Sequence, residues 1–254
     1  MILFRKCVDP DEELVAKKYF DVINYRSEIQ PNRIIIPRYS SLPFYHELEQ
    51  DVMNLGSRLI NSYRQHQWIT NLDYYEILKD YTFRTWFSLE EINHLDIPMI
   101  VKGKINSKKH TWNRTMYAKN RDEARSIYFG LLDDSIIGNQ TIIFREYVPL
   151  KTYGKGLYDL PFTNEWRFFF YQEELVSYGY YWANSDFDGE MNEEGIEFAK
   201  NLAKICSEYV GFYVLDIAQK EDGNWILVEI NDGTMSGLSR IDPDQFYSRL
   251  KAIF

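Results

Sequence analysis

Hydrophobic positions in the first third of the chain recur at helical spacing. Four apolar residues fall on one face of a helix, namely Phe44, Leu48, Val52 and Leu55. Gly56 follows them at the position that a helix C-cap favours, and Ser88 with Glu91 three residues later forms a capping box for a short helix. The pattern predicts that residues 10–85 are mainly helical.

The pattern changes from residue 97 onward, where apolar runs of strand length begin. Six runs predict strands, over residues 97–105, 141–148, 166–171, 175–182, 212–218 and 225–230. Helical spacing returns around residues 124–131, over 193–209, and from about 244 to the end. A Glu-Asp-Gly-Asn turn joins the last two strands and predicts a hairpin. We therefore predict an α+β chain with a mainly helical N-terminal region and a sheet-rich remainder.

Composition and charge limit the class of protein. The chain has 254 residues, of which 45% are hydrophobic and 26% charged, as is typical of a folded globular protein. At about 150 residues per domain, one or two domains are expected. The net charge of -9 argues against a general nucleic-acid coat protein, which needs a broad cationic face. It does not argue against a small anion held in a local basic pocket.

No targeting or membrane signal is evident in the sequence. No apolar run approaches the roughly 18 residues that a membrane span requires, and the three apolar residues before Arg5 are too few for a secretory signal. Cys7 and Cys206 form no disulfide or metal-binding pattern. We therefore expect a cytoplasmic protein without a membrane partner.

Positive charge is concentrated in one segment, residues 102–121, which carries no acidic residue. Its seven basic side chains are Lys102, Lys104, Lys108, Lys109, Arg114, Lys119 and Arg121. A solvated loop is one explanation. However, Lys102 ends an apolar strand, where a lysine needs an anionic partner. The polar residues 106–111 that follow suit phosphate oxygens, although the Gly-Lys-Ser/Thr of a Walker loop is absent.

Acidic residues interrupt the two strands of the predicted C-terminal hairpin. Asp216 lies in one apolar strand, and Glu229 and Asn231 lie two residues apart in the next, so that they face the same side. Pairing of the strands would bring Asp216 next to them. Three oxygen donors of this kind suit Mg²⁺ together with substrate phosphates. The alternative is a strand end with solvated carboxylates.

Histidines and aromatic runs give weaker signals. The four histidines, His46, His66, His94 and His110, have no metal-ligand spacing, so we expect structural or surface roles. Within residues 1–90, pocket positions and buried hydrogen-bonding roles explain five polar residues equally well, namely Arg38, Tyr39, Asn61, Ser62 and His66. The aromatic runs at 168–171 and 178–182 could stack bases, but at strand periodicity core and sheet-surface positions explain them more simply.

Five segments in order resemble the ATP-grasp superfamily, and most of all the small ATP-grasp proteins often encoded by bacteriophages. They are Ile-Val-Lys-Gly, Ile-Ile-Phe-Arg-Glu-Tyr-Val, Glu-Trp-Arg-Phe-Phe, Leu-Asp-Ile and Val-Glu-Ile-Asn-Asp-Gly. The resemblance covers about residues 95–254 and implies two sheet-containing subdomains that grip ATP. Residues 1–90, including the segments 38–45 and 56–62, resemble the phage-type group only.

The resemblance implies a nucleotide site around the first strands of this core. Lys102 would contact the adenine and the α-phosphate, and residues 106–111 would close over the β- and γ-phosphates. A second cation would come from Lys104, Lys108 or Lys109.

The same resemblance makes residues 144–148 the hinge strand, where the Glu146 C=O and the Val148 N–H would pair with the adenine edge. The implied nucleotide-binding residues are Lys102, Lys108, Arg145, Glu146, Tyr147 and Val148. Arg145 stands where many relatives have Glu or Gln, and the loop lacks the usual glycine-rich character.

Roles in catalysis and metal binding follow from the later segments. Glu165 and Arg167 match the Glu-x-Arg strand of the family, whose arginine faces the transferred phosphate or the acyl intermediate. The implied catalytic cations are Arg167, Lys104 and Lys109. The implied magnesium ligands are Asp216, Glu229 and Asn231.

We therefore expect residues 1–90 to form a pre-ATP-grasp or substrate region and residues 91–254 to form the ATP-grasp core. The leading hypothesis is an ADP-forming, Mg²⁺-dependent ligase that joins a small-molecule or peptide carboxylate to an amine through an acylphosphate. No covalent nucleophile is needed, since positioning and charge stabilisation suffice.

Two other functions remain open on the sequence. One is ATP-dependent phosphoryl or nucleotidyl transfer to nucleic acid, including RNA end joining, which the basic segment and the aromatic strands would serve. The other is an ATP-binding module without catalysis, which has less need of the acidic set. Substrate identity and oligomeric state are not predicted.

Overall fold

The N-terminal ninety residues fold around a small parallel sheet. In the computed structural model, which describes residues 1–6 and 9–254 apart from the side chain of His110, the elements of this region are β1 (Ile2–Leu3), α1 (Pro10–Ala16), β2 (Val22–Ile23), β3 (Ile34–Pro37), α2 (Tyr45–Asn54), β4 (Arg58–Leu59), α3 (Tyr63–Thr70), α4 (Tyr74–Leu78), β5 (Thr85–Trp86) and α5 (Leu89–Ile92). Four of the strands form a parallel sheet in the order β2-β1-β3-β4. The prediction for Cys7 lies outside the described residues.

More residues of this region are helical than extended, as predicted, but the parallel sheet at its centre was not predicted. Its strands are only two to four residues long and are covered on both faces. Ile2 and Ile36 pack into one apolar cluster, whereas Leu3 and Ile35 pack into another. A strand that is buried on both faces shows no alternation of polar and apolar residues, so its pattern does not identify it.

The caps that the sequence indicated are present. Helix α2 ends before Gly56, which has a φ of +71°. This left-handed conformation favours glycine and satisfies the end of the helix. The Ser88 hydroxyl accepts from the Glu91 N–H at the start of α5, so both helix boundaries were correctly predicted. Only half of the predicted capping box forms, because the Glu91 carboxylate accepts from the Phe87 N–H rather than from that of Ser88.

The first sheet of the core is antiparallel and has the order β5-β8-β6-β7. It is formed with β6 (Met99–Gly103), α6 (Trp112–Thr115), β7 (Tyr117–Ala118), α7 (Arg121–Leu132) and β8 (Ile142–Glu146). Helix α7 buries Ala124 and Leu131 against Met99, Val101 and Phe144 of the sheet. Strand β5 precedes residue 90, so the N-terminal region contributes one strand to this sheet.

The second core sheet is also antiparallel, in the order β12-β11-β13-β14. The remaining elements are β9 (Thr152–Lys155), β10 (Pro161–Thr163), β11 (Glu165–Tyr171), β12 (Glu174–Tyr180), α8 (Glu193–Cys206), β13 (Phe212–Gln219), β14 (Trp225–Asp232) and α9 (Pro243–Ile253), of which β9 and β10 pair as a separate antiparallel ribbon. All six predicted strands and the three predicted helices of the core overlap observed elements.

Each face of the second sheet is covered by a different layer. Helix α8 packs on one face together with α3 and α4. Helix α9 and the N-terminal sheet pack on the other face, around Phe169, Phe212 and Phe246. Burial in α8 raises the pKa of the Cys206 thiol to about 12, so this cysteine stays protonated. Over the residues that the structure describes, no helix has the length and apolar character of a membrane span.

Candidate active site

The basic and acidic segments of the sequence meet between the two core sheets. Lys102 lies on β6 and is buried, and its Nζ donates to Glu229 Oε2 on β14 at 2.8 Å. The two residues are 127 positions apart in the chain. A buried ammonium is costly unless it is paired, so this ion pair fixes one sheet against the other.

The predicted hairpin brings the three acidic-segment residues together. Asp216 on β13 stands directly across from Glu229 on β14. Asn231 Nδ2 donates to Asp216 Oδ2 at 3.0 Å and to Glu229 Oε1 at 3.3 Å. One amide therefore links both carboxylates.

The guanidinium of Arg167 on β11 forms a bidentate ion pair with the Asp216 carboxylate. Its Nε and Nη2 donate to the two carboxylate oxygens at 2.8 and 2.7 Å, and its Nη1 donates to the Gly237 carbonyl at 2.9 Å. Such paired hydrogen bonds are among the strongest that a carboxylate makes. Each carboxylate of the hairpin thus has its own cation, Arg167 for Asp216 and Lys102 for Glu229.

The charge state of Glu229 follows from these neighbours. Burial alone would raise the pKa of Glu229, but Lys102 and Lys109, with the hydrogen bonds from Lys102 and Asn231, hold it well below its usual range. Burial would likewise lower the pKa of Lys109, yet Tyr181, Glu165 and Glu229 raise it. Both groups are therefore charged at neutral pH.

A first cavity, here called the hinge cavity, opens on one side of the Lys102–Glu229 pair. It has a free volume of about 820 Å³, part of it open to solvent. Apolar side chains form much of its wall, among them Phe83, Ile100, Met116 and Leu160. Lys109, Glu165 and the segment 146–148 complete it.

Residues 146–148, the predicted hinge segment, line this cavity. The Glu146 side chain is bound by Arg84 through two hydrogen bonds of 2.8 Å each. The Tyr147 N–H donates to the Pro98 carbonyl at 3.0 Å. Among the described residues, the Val148 N–H has no hydrogen-bond partner, so this donor is available to a ligand.

A second cavity, here called the junction cavity, lies on the other side of the same ion pair. Its free volume is about 1040 Å³, again partly open to solvent. The N-terminal region contributes Ser40, His66 and Tyr75 to its wall, the basic segment contributes Lys104, and the region after β14 contributes Ser236. Lys102 and Glu229 border both cavities, so the two spaces share this ion pair as a common wall.

Glu165, which lines the hinge cavity, has one buried carboxylate oxygen without a hydrogen-bond donor among the described residues. Its Oε2 accepts from Thr163 Oγ1 at 3.1 Å, whereas its buried Oε1 has no hydrogen-bond partner within the described part of the chain. Burial raises the pKa of Glu165 to about 7, despite the opposing effect of Lys109. A buried acceptor without a donor calls for an explanation, and a bound hydroxyl or amine supplies one.

The three lysines of the basic loop have different surroundings. Lys104 borders the junction cavity, and burial lowers its pKa. Lys109 borders the hinge cavity, where its Nζ donates to the Tyr181 hydroxyl at 2.7 Å. Lys108 borders neither cavity, since its Nζ forms an ion pair with Asp134 at the end of α7. The backbone N–H of Ile137 and then this ion pair lower the pKa of Asp134 to about 2.

Gln140 holds the first residues of the loop in position. Its Oε1 accepts from the N–H groups of Ile105 and Asn106 at 3.0 and 3.3 Å. A Cβ on Gly103 would come within 2.9 Å of the same oxygen and 3.0 Å of the Asn106 carbonyl. A side chain at Gly103 would therefore crowd the Gln140 amide and the Asn106 carbonyl, because the loop folds back over the end of β6.

Arg145 joins the two core sheets. Its Nη1 donates to the Val228 carbonyl at 2.6 Å and its Nη2 donates to Thr82 Oγ1 at 2.8 Å. Its Nε is buried without a partner within the described residues, and the side chain borders both cavities. These contacts hold the hinge strand against β14.

The donor set of the hairpin suits a magnesium ion. Over residues 1–6 and 9–254, no three His, Cys, Asp or Glu side chains cluster at metal-binding distance. The candidate set is instead two carboxylates and one amide, Asp216, Glu229 and Asn231, which offer hard oxygen atoms. Mg²⁺ is commonly held by one or two carboxylates plus phosphate oxygens, so the residues present fit this ion.

Two parts of the site were only partly predicted from the sequence. Tyr181 and Trp182 follow an aromatic pattern for which core and sheet-surface positions were the simpler prediction. The structure shows that only some of these aromatic residues belong to the core. Phe168 and Phe170 are core residues, whereas Lys109 Nζ lies 4.2 Å from the Tyr181 ring centroid and 5.2 Å from that of Trp182. The other part is a buried pair between His66, which the sequence offered as a plausible pocket residue without a defined role, and Asp232, which it did not single out. Asp232 is the middle residue of the Asn-Asp-Gly sequence that ends β14, and this position next to Asn231 was the only indication in the sequence that it lies near the site.

Solved structures share this fold over nearly their whole length. A RimK domain ATP-grasp protein from Sphaerobacter thermophilus is similar at a TM-score of 0.61 and 11% identity, with 98% of each chain covered. D-cycloserine synthetase DcsG is similar at 0.60 and 12% identity, with 99% of this chain and 98% of that chain covered. The ATP-grasp ligase PsnB, solved with minimal precursor, Mg and ADP, is similar at 0.59 and 12% identity, with 99% and 97% covered.

The family assignment comes from the sequence of the core. No curated protein matches the chain. Residues 90–250 match the family described as ATP-grasp domain, R-2-K clade family 3. This range contains every candidate residue from Lys102 to Asn231, and the two sheets that grip the shared ion pair lie almost entirely within it. The chain therefore belongs to the ATP-grasp superfamily, as a member of this clade family.

Proposed function

We propose that this protein is an ATP- and Mg²⁺-dependent ligase that joins a carboxylate to an amine through an acylphosphate and releases ADP. The observation that carries the proposal is the Lys102–Glu229 pair in the wall between two cavities. A nucleotide on one side of this pair would have its phosphates next to a second, polar space on the other. Ligation needs this arrangement, because the γ-phosphate must meet a second substrate.

The hinge cavity is the proposed nucleotide site. Its apolar wall suits a purine, and the free Val148 N–H is a donor for the edge of the base. Lys102 and Lys109 border the same cavity and would contact phosphate oxygens. Glu165 Oε1 would accept a hydrogen bond from the ligand.

Asp216, Glu229 and Asn231 would hold Mg²⁺, which would neutralise charge on the β- and γ-phosphates. Arg167 holds the Asp216 carboxylate in place through its two hydrogen bonds. Lys102 does the same for Glu229.

The junction cavity is the proposed site of the acid and the amine. A substrate carboxylate oxygen would attack the γ-phosphorus, a P–O bond to ADP would break, and the acylphosphate would remain. Lys104 borders this cavity and would stabilise the charge of the transferring phosphoryl group. The amine would then form the C–N bond and displace phosphate.

The names of the structural neighbours support this class of reaction. They include D-alanine–D-alanine ligase in complex with ATP and PsnB in complex with a precursor peptide and AMPPNP. Both a small amino acid and a peptide are therefore reasonable classes of carboxylate substrate.

The pairing of the basic segment disfavours the alternative of a nucleic-acid substrate. Lys102 is paired with Glu229, Lys108 with Asp134, and Arg121 with Asp122. Cations that are buried between the sheets or paired with carboxylates leave little net positive charge on an exposed surface for a nucleic-acid backbone. We expect no salt-dependent shift of labelled RNA or DNA at low ionic strength.

The test is product analysis with ATP, Mg²⁺ and a panel of L- and D-amino acids and short peptides that serve as both acid and amine. Release of ADP and phosphate that depends on the panel supports the ligase. Release of AMP and pyrophosphate would overturn the acylphosphate route. Nucleotide binding without any turnover would favour the non-catalytic module.

A further inference from the structure

A histidine–aspartate pair borders the junction cavity and has no role in the proposed nucleotide site. His66 Nδ1 lies 3.0 Å from Asp232 Oδ2, and both side chains are 3% exposed. His66 lies on α3 of the N-terminal region, and Asp232 ends β14 of the core. The pair thus joins the part of the chain that lies outside the grasp to the strand that carries Glu229 and Asn231.

The surroundings of Asp232 fix the direction of this hydrogen bond. Asp232 Oδ1 accepts from Asn61 Nδ2 at 3.0 Å, from the Thr234 N–H at 2.9 Å and from Thr234 Oγ1 at 2.7 Å. A carboxylate with this many donors acts only as an acceptor, so His66 Nδ1 carries a proton. In the neutral ring, Nε2 is then the basic nitrogen.

The His66 ring is held in one orientation. It stacks on Tyr45, with ring centroids 4.1 Å apart and an interplanar angle of 6°. Helix α3 is anchored below it by a capping box between Ser62 and Gln65. With Nδ1 bound to Asp232, and no described residue bonded to Nε2, Nε2 is the ring nitrogen available to the cavity.

The charged groups that share this cavity are those of the proposed phosphate site. Lys102, Lys104 and Arg145 border it as cations, and Glu229 borders it as an anion. An acylphosphate formed beside Glu229 would therefore share this space with His66. A positioned base adds to the rate only if it reaches the reacting group.

We propose that His66 is the general base of the second step and takes a proton from the attacking ammonium group, while Asp232 is its positioning residue. This inference rests on the proposed ligase function and assigns the junction cavity to a protonated amine as acceptor. The carboxylate substrate needs no base, because it is already ionised at neutral pH.

The protons and bonds of the step balance. The ammonium nitrogen gives one proton to His66 Nε2, and its lone pair attacks the acyl carbon. The C–N bond forms, the C–O bond to phosphate breaks, and the second proton leaves with the phosphate as HPO₄²⁻. His66 then returns its proton to solvent.

The experiment compares two nucleophiles in His66→Gln. Hydroxylamine is largely unprotonated near neutral pH, so it traps an acylphosphate as a hydroxamate without a base. With the same panel of acids, we expect amide formation to fall about 100-fold in the variant, while ATP-dependent hydroxamate formation stays within about threefold of wild type. His46→Gln, the same change at an exposed histidine, should keep both reactions.

The outcomes separate the two proposals. Equal loss of hydroxamate and amide in a folded His66→Gln protein would overturn the base, because the first step would then need His66 too. Retention of both reactions would also overturn it. If the wild-type protein forms neither product, the ligase proposal fails, and the role of His66 fails with it.

The tautomer of His66 gives a second measurement that needs neither substrate nor a folded variant. Long-range ¹H–¹⁵N correlation on the wild-type protein should show neutral His66 with its proton on Nδ1 and an unprotonated Nε2. The reverse tautomer would leave no basic nitrogen toward the cavity and would overturn the proposal.

Discussion

The two cavities on either side of the Lys102–Glu229 pair are built from different parts of the chain. The wall of the hinge cavity comes almost entirely from residues 83–182, with two residues of β14. The junction cavity also needs residues 40–75 of the N-terminal region and residues 235–236 beyond the last strand. The proposed nucleotide half thus lies almost entirely in the core, whereas the proposed substrate half exists only where the N-terminal region meets it.

The variant that should affect both cavities most is Glu229→Gln. It removes the anion that faces Lys102 and one proposed magnesium ligand, so we expect the rate of ADP release in the ligase assay to fall about 1000-fold. Glu221→Gln makes the same change in the exposed turn of the same hairpin and should retain wild-type activity. If Glu229→Gln releases ADP at a rate within tenfold of wild type, the proposed role of Glu229 at the wall between the two cavities is contradicted.

On the junction-cavity side, the variant Asn61→Ala should lower the free energy of unfolding. Asn61 is fully buried, and it bonds the N–H and the carbonyl of Phe212 at 2.7 and 2.6 Å as well as Asp232. Leaving these groups unpaired should lower the free energy of unfolding by about 4 kcal/mol, measured by urea denaturation.

Asn54→Ala, at the exposed end of α2, is the matched control and should change the free energy of unfolding by less than about 0.5 kcal/mol. A loss of less than about 1 kcal/mol in Asn61→Ala would show that the N-terminal region is not anchored through Asn61.

On the hinge-cavity side, the ionisation of Glu165 should make the free energy of unfolding depend on pH. The folded protein retains its proton up to a pKa of about 7, whereas the unfolded chain releases it near 4.5. Between these values the unfolded state binds fewer protons, so stability falls as pH rises through this window.

The side chain of the Glu165→Gln variant cannot ionise. The free energy of unfolding of the variant minus that of wild type should therefore be larger at pH 8 than at pH 4, by up to about 3 kcal/mol. Urea denaturation at both pH values measures this difference. Glu174→Gln, an exposed glutamate on β12, should show no such trend. A difference that does not vary with pH would contradict the raised pKa.

The smallest expected effect separates two adjacent lysines. Lys109→Met removes a cation from the hinge cavity and should raise the Kd of AMPPNP with Mg²⁺ about tenfold in calorimetry, as expected for one charge-assisted hydrogen bond. Lys108→Met removes a cation that is paired with Asp134 outside both cavities, so its Kd should stay within twofold of wild type. Equal weakening by the two variants would show that the loop binds nucleotide as a diffuse charge.

Much of the core could be predicted from the sequence because its signals are local. The strands of the C-terminal hairpin are apolar runs joined by a turn in which Gly223 has a φ of +92°. Helix α8 follows from one apolar face over 193–206. The prediction that Asp216, Glu229 and Asn231 converge needed only strand alternation and a hairpin, and the structure brings them together; their role as magnesium ligands stays a prediction.

The N-terminal sheet could not be predicted because its signal is not local. Ile35 and Ile36 are adjacent, yet they point into different apolar clusters on opposite faces of β3. Each parallel strand finds its partner only after an intervening helix or loop. Apolar segments this short are consistent with several structures until their partners are known.

The sequence by itself determined the family, the order of the core elements and the chemical types that meet between the sheets, because these depend on short motifs and on the spacing of apolar residues. Only the tertiary structure decided which charges pair. Lys108 and Lys109 are chemically identical neighbours, but packing directs one to Asp134 and the other to Tyr181. The His66–Asp232 pair joins residues 166 positions apart, and burial selects such a contact because an unpaired polar group there would be costly.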